Sequence, residues 1–389
     1  MSNRSIYDSI LKQNFNMDTL VDVPPYRNHF ILPFGDLGLG SAILTQLIVA
    51  IDYVLIVDVQ TDVYPKGQPP RAKGADVGAS LATRFCRAFS LYSSPRGVGW
   101  SFEPLTLPKP STKSRFAFVV SKIARALGCA LLGAFASVAA NSNPALSGKT
   151  ASVRDMGWFY HTTGVFAFAL GAVTHINALH CVLAALCVGV GISRPQEWPD
   201  VFGSPFNAYT VRRFWGRTWH QMLRRPLKSC TIFVVTKILN CPIDKAYAPF
   251  VFLNIAFFIS ALVHVGGDYM MLGKPGAGAF WFFILQGLAV TLETVVSNLL
   301  NLPGLGLAAR KPRNAALSTS KDSAAPKSPP PMWTRVVGYV WVLSWFWWSL
   351  PFLVDPGILV GLYGPHRGMT FKRLSELVVN AYHQLAMDV

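Results

Sequence analysis

The chain has 389 residues, 51% hydrophobic and 14% charged, and a net charge of +16 from 35 Lys and Arg against 19 Asp and Glu. Soluble domains carry about 25% charged residues, so this composition excludes an ordinary soluble domain and points to a membrane protein. The basic excess is then assigned to cytoplasmic loops and anionic lipid rather than to nucleic acid.

The N-terminal segment, 1–36, begins "MSNRSIYDSILKQNFNMD". It has no apolar h-region and is not expected to be a cleaved signal peptide. The first apolar span is 37–59. A Pro- and Gly-rich basic loop, 60–115, follows, and then a second span, 116–139. The apolar run 158–192 exceeds one straight crossing of the ~30 Å hydrocarbon core. It fits one long tilted helix or two short segments. A second basic loop covers 193–229. Next come a short apolar piece at 230–239 and spans at 247–265 and 278–300. Residues 301–331 are rich in Ala, Pro, Ser and Lys and read as a flexible loop. The region 333–363 fits one long or two short spans, and 364–389 is a C-terminal tail.

Three loops, 60–115, 193–229 and 301–335, carry the basic excess. Two spans separate each from the next, so all three can lie on the cytosolic side. The expectation is an all-α, multi-pass integral membrane helical bundle of roughly six to nine transmembrane helices, with an interfacial amphipathic helix. Residues 37–363 form its single membrane domain. None of the six cysteines forms a C-x-x-C pair, and neither a disulfide framework nor a metal site is expected.

The stretch "RRFWGRTWHQMLRRP", 212–226, stands out. On a 100° wheel, Arg213, Arg217, His220 and Arg224 fall within about 60° of one another. Val211, Trp215, Thr218, Trp219 and Met222 lie opposite. The pattern predicts an interfacial amphipathic helix over 211–225, anchored by Trp and Arg. On the polar face, the arginines suit bidentate binding of phosphates. Their charge should keep His220 neutral, able to act as an acceptor or base.

A second histidine, His264, lies near the end of an apolar span in "NIAFFISALVHVGGDYM", 254–270. Ionisable groups in spans face the protein interior and mark function. A structural alternative is a hydrogen bond from His264 to a nearby carbonyl or to Ser260. Gly266 and Gly267 leave room for a ligand, and Asp268 can orient the imidazole if the chain turns back after them. His161, His175 and His180 form no metal pattern. Asp52 and Glu293 lie within spans and need partners, and structural pairing is at least as well supported as catalysis. No G-x-S-x-G, P-loop or dinucleotide fingerprint is present.

Phe214-Trp215-Gly216-Arg217-Thr218-Trp219-His220-Gln221, followed downstream by Ser260-Ala261-Leu262-Val263-His264, resembles the wax-synthase-like branch of the membrane-bound O-acyltransferases. That branch includes plant wax synthases and fungal acetyltransferases of terpenoids and meroterpenoids. The resemblance is strongest over 190–300. It implies acyl transfer from acyl-CoA to a hydroxyl, with acyl-CoA as co-substrate and no cofactor or metal. It casts His264 as general base and His220 as the second catalytic position. Arg213, Arg217, Arg224, Trp215 and Trp219 become candidates for binding acyl-CoA. The expected partners are acetyl-CoA or another acyl-CoA, a lipophilic alcohol and membrane lipid, in the endoplasmic reticulum. Two readings stay open beside this one: a long-chain wax or sterol ester synthase, and a transporter using Asp52, His264 and Glu293 as an ion path.

Overall fold

The computed structural model describes residues 33–70, 72, 78–148, 150–300 and 331–363. The segment at 1–32, most of the 301–331 loop and the 364–389 tail lie outside the described residues. Among the described residues, six helical stretches are long and apolar enough to cross a membrane.

Helix α1, Pro33–Ile51, continues as a wider π turn through Asp52–Ile56. In the first basic loop, α2, Leu81–Tyr92, starts at Ser80, whose side chain accepts from the Thr83 amide. Helix α3, Arg115–Asn141, is capped in the same way by Ser114. The run left open in the sequence is one helix, α4, Trp158–Gly189. Its 32 residues span about 48 Å at ~1.5 Å per residue, longer than a bilayer core is thick. Helix α5, Arg224–Phe233, is short. It is followed by α6, Ala248–Leu272, and α7, Gly278–Leu299. The last apolar region divides into α8, Met332–Ser349, and α9, Pro351–Leu359, at Pro351.

Helices α3 and α4 pair along their lengths, and α6 packs against both α1 and α7. Helix α9 touches α4, α6 and α7 and helps close a core of Leu146, Val153, Val165, Met271, Val354 and Ile358. The first two basic loops lie together: Arg96 donates to the carbonyls of Pro199 and Asp200, and Arg224 to Thr106. This agrees with their expected placement on one side of the membrane.

Two expectations from the sequence are corrected. Helix α6 does not end at the glycines. Gly266 and Gly267 stay helical, and their missing side chains let α1 approach rather than a ligand. A Cβ on Gly40 would meet the Gly266 carbonyl oxygen at 2.1 Å, and one on Gly266 would lie 2.6 Å from Leu44. Gly38, on the same helix, has nothing within 4 Å of such an atom. Gly40→Val should therefore lower stability by about 1–3 kcal/mol through overpacking, while Gly38→Val changes little. Unfolding midpoints of the two variants in one detergent check this. Equal midpoints would remove the close approach as a packing determinant.

The second correction concerns the amphipathic helix. Residues 211–225 are not one continuous helix. The amphipathic helix sits instead at α2, where Leu81, Phe85, Phe89 and Tyr92 form an exposed apolar stripe. The Tyr92 hydroxyl donates to Gln46 on α1, so the stripe continues the outward surface of the first span, as an interfacial helix requires.

Candidate active site

The motif region begins with one helical turn, Val211–Arg213, whose N-cap Thr210 accepts from the Arg213 amide. It widens to a π turn over Phe214–Thr218 and then breaks. Trp219 is extended, with φ −67° and ψ 151°. The wheel therefore fails: Arg213, Arg217, His220 and Arg224 share no helical face.

The segment does not lie on a surface either. Glu293, on α7, accepts from the Val211 and Arg212 amides at 2.5 and 3.0 Å and from the Trp341 indole at 2.7 Å. Trp215 donates to Gln286 at 3.4 Å and packs against Phe257, Phe282, Phe283 and Phe346. From Glu293 to Gln286 is about 10 Å along α7. The chain thus enters the bundle as a re-entrant turn, reaching past the middle of α7. Irregular backbone at such depth survives only inside protein and only if its polar groups are paired.

The motif supplies those partners. Gln221 donates to the carbonyls of Trp215 and Trp219 at 2.9 and 2.7 Å. The Trp219 amide reaches the Phe214 carbonyl. The Thr218 carbonyl accepts from the Gly203 amide at 2.9 Å. A Cβ on Gly203 would sit 2.0 Å from the Arg217 carbonyl oxygen, so the 202–204 segment can lie against the turn only with glycine there. Arg224 lies beyond the break. Its Nη1 donates to Gln221, Thr106 and the Gly216 carbonyl, which ties it to the turn and to the first basic loop.

His264 lies on α6. Its Nδ1 is 2.8 Å from the Ser260 carbonyl. A carbonyl only accepts, so Nδ1 carries the hydrogen, and Nε2 is the acceptor nitrogen of the neutral ring. Among the described residues Nε2 has no hydrogen-bond partner, and the side chain is only half-buried. The imidazole stacks on Phe283 at 4.1 Å. Asp268 does not orient it. That carboxylate accepts from the Ala279 amide at 2.9 Å and caps the start of α7.

Trp215 also packs on Phe283, at 5.7 Å, and on Trp219, at 6.0 Å; Trp219 in turn lies 5.2 Å from His220. The rings of Phe283, Trp215 and Trp219 join the two histidines into one aromatic-lined site. Burial, the neighbouring His264 and Arg96, in that order, lower the pKa of His220 to about 4, so it is neutral at pH 7. The sequence expectation of a neutral ring agrees with this, but its cause does not. Burial dominates, and the contributing arginine is Arg96. His220 Nδ1 is buried and has no partner among the described residues.

Arg213 stacks over Tyr209 at 4.3 Å, and its pKa is lowered by burial and by the charges of Arg217 and Arg335. Arg217 is exposed and has no hydrogen-bond partner among the described residues. Arg213, Arg217 and Arg335 make one cationic patch beside the re-entrant turn.

Sequence reasoning missed two polar groups that hold this site. Gln286 is fully buried and accepts from the indoles of both Trp215 and Trp345. Arg225, in α5, bonds to buried Asp52 at 3.0 Å and stacks over Phe102 at 4.1 Å. The signal for Gln286 was a polar residue in an apolar run; Arg225 is one arginine of the basic stretch 212–226, and only Asp52, an acid within a span, signalled that such a partner was needed. Glu293 and Asp52 turn out to be structural partners, which removes two of the three groups that the transporter reading needed.

Residues 198–285 match the family described as membrane bound O-acyl transferase. The match runs through the re-entrant turn, α5, α6 and the start of α7, and so includes both histidines. Acetyltransferase ple2 of Rhodocybe pseudopiperita is 30% identical over 320 residues, covering 81% of this chain and 76% of its own. The chain belongs to the membrane bound O-acyl transferase family. This acyltransferase is also 28% identical to acetyltransferase eriL of Hericium erinaceus, over 84% of this chain and 79% of the relative. With O-mevalon transferase macI of Penicillium terrestre it shares 29% identity, over 69% of this chain and 62% of that one. The acyltransferase is thus an integral membrane enzyme that moves an acyl group from a donor to an alcohol acceptor.

Proposed function

We propose that this acyltransferase is an acetyltransferase of secondary metabolism, taking acetyl from acetyl-CoA to a hydroxyl of a lipophilic terpenoid or meroterpenoid alcohol at the endoplasmic reticulum. The observation that carries the catalytic part is the Nδ1 hydrogen bond of His264 to the Ser260 carbonyl, which leaves Nε2 as the base. Nε2 takes the proton of the acceptor hydroxyl as its oxygen attacks the thioester carbonyl. The tetrahedral oxyanion collapses, the carbon–sulfur bond breaks, and the imidazolium returns the proton to the departing thiolate. His220, neutral and within the same ring cluster, polarises the carbonyl or holds the second position of the pair. The aromatic lining excludes water and suits an apolar acceptor. The acetyl choice is supported by the names of the relatives ple2 and eriL. Membranes holding the enzyme, given labelled acetyl-CoA or palmitoyl-CoA and a lipophilic alcohol, should make the acetyl ester. Preferred palmitoyl transfer would overturn the acetyl assignment and make the enzyme a wax or sterol ester synthase.

We assign the donor's phosphates to Arg217 and Arg213, a reading supported by the exposed guanidinium of Arg217, unpartnered among the described residues, beside Arg213. Arg217→Lys should raise the KM for acyl-CoA about tenfold, as expected for losing one charge-assisted hydrogen bond of roughly 1.4 kcal/mol. The KM for the alcohol should hold. Equal effects on both substrates would place Arg217 outside the donor site.

A further inference from the structure

A cavity of about 200 Å³ lies where the start of α3 meets the 198–200 turn. It is smaller than a typical pocket for a whole organic ligand, roughly 300 Å³ or more, and ample for a phosphate group. Lys109, Lys113, Lys122 and Arg125 line it, and the single carboxylate among its lining residues is Asp200. That carboxylate is already shared, bonded to Lys122 at 2.9 Å and Arg125 at 2.6 Å. Lys113 donates to Ser121 at 2.7 Å, and among the described residues neither Lys109 nor Lys113 pairs with a carboxylate. The wall is rigid: buried Arg96 clamps the carbonyls of Pro199 and Asp200 at 2.6 and 2.7 Å. Trp198 is tied by its indole to Ser193 at 2.8 Å. Cations converging on a preformed hollow, in excess over their counter-charge, recognise a dianion through charge-assisted hydrogen bonds. Lys122 and Arg125 sit two and three turns into a span, at the depth where basic pockets between helices meet lipid headgroups.

We propose that this cavity is a phosphate-group site, separate from the His220 and His264 cluster and joined to it by Arg96. Two sources carry that chemistry: the headgroup of an anionic phospholipid, and the phosphates of the acyl donor. Only the second source rests on the acetyl-CoA reading. The test uses the purified full chain in phosphatidylcholine nanodiscs and the double variant Lys109→Glu with Lys113→Glu. In one arm, binding of adenosine 3′,5′-bisphosphate is measured directly, without turnover. In the other, part of the phosphatidylcholine is replaced by phosphatidic acid and the unfolding midpoint is followed. A donor site predicts that the variant binds the nucleotide at least tenfold more weakly. A lipid site predicts a midpoint raised by phosphatidic acid in the wild type and not in the variant. Unchanged nucleotide affinity together with an unchanged lipid effect, or a wild type that responds to neither probe, would overturn the proposal. If charge reversal prevents folding, the pair Lys109→Gln and Lys113→Gln is measured the same way. Wild-type protein that responds in either arm but transfers no acetyl group would sink the acetyl-CoA mechanism and leave this site standing.

Discussion

His264→Ala should leave the protein inserted and abundant but lower turnover by at least ~10². The side chain makes one hydrogen bond, to the carbonyl of its own helix, and is half-buried against Phe283. Its loss removes little packing, so a large effect on rate must come from chemistry. His264→Gln sharpens the test, because an amide can donate to Ser260 yet cannot accept a proton at pH 7. Both variants should fail alike in transfer while giving wild-type yields of monodisperse protein. Near-normal turnover in either would take His264 out of the mechanism. His220→Ala should likewise cost activity without loss of folded protein.

Breaking the pair between Asp52 and Arg225 should produce the largest loss of stability. Asp52 is 1% exposed and Arg225 12%, with Nε and Oδ2 3.0 Å apart. The pair ties the π turn ending the first span to α5, directly after the re-entrant turn. Asp52→Ala or Arg225→Ala leaves the other charge buried and unpaired, which costs about 3–5 kcal/mol. Asp52 Oδ1 and Arg225 Nη2 are buried without partners among the described residues, so the pair is incompletely satisfied. An apolar replacement of both, Asp52→Leu with Arg225→Met, should therefore recover most of the loss. Thermal midpoints in detergent give the comparison. A double variant no better than either single one would show that the segment needs the charges themselves.

Much of this protein was legible in its sequence because the signals are local. Apolar runs near 20 residues must become helices in lipid, since a helix alone satisfies its own backbone there; this held for 37–59, 116–139 and 278–300 within a few residues. The alternation of basic loops placed the first two together, as their shared contacts bear out. Phe214 to Gln221 and the downstream His264 carry the resemblance to the family to which the chain belongs. Tertiary structure decided the rest. The helical wheel of 211–225 assumed a regular 100° step, which the widened turn at Phe214–Thr218 and the extended Trp219 abolish. That break is set by Glu293, Gln286 and Gly203, which bond to the segment from 82, 71 and 15 residues away in the chain. The glycine pair read as a ligand approach became a helix contact because α1, more than two hundred residues earlier, fills the space. Sequence periodicity reports which residues prefer to be buried. It does not report what buries them, and here the partner decided whether a tryptophan faces lipid or an active site.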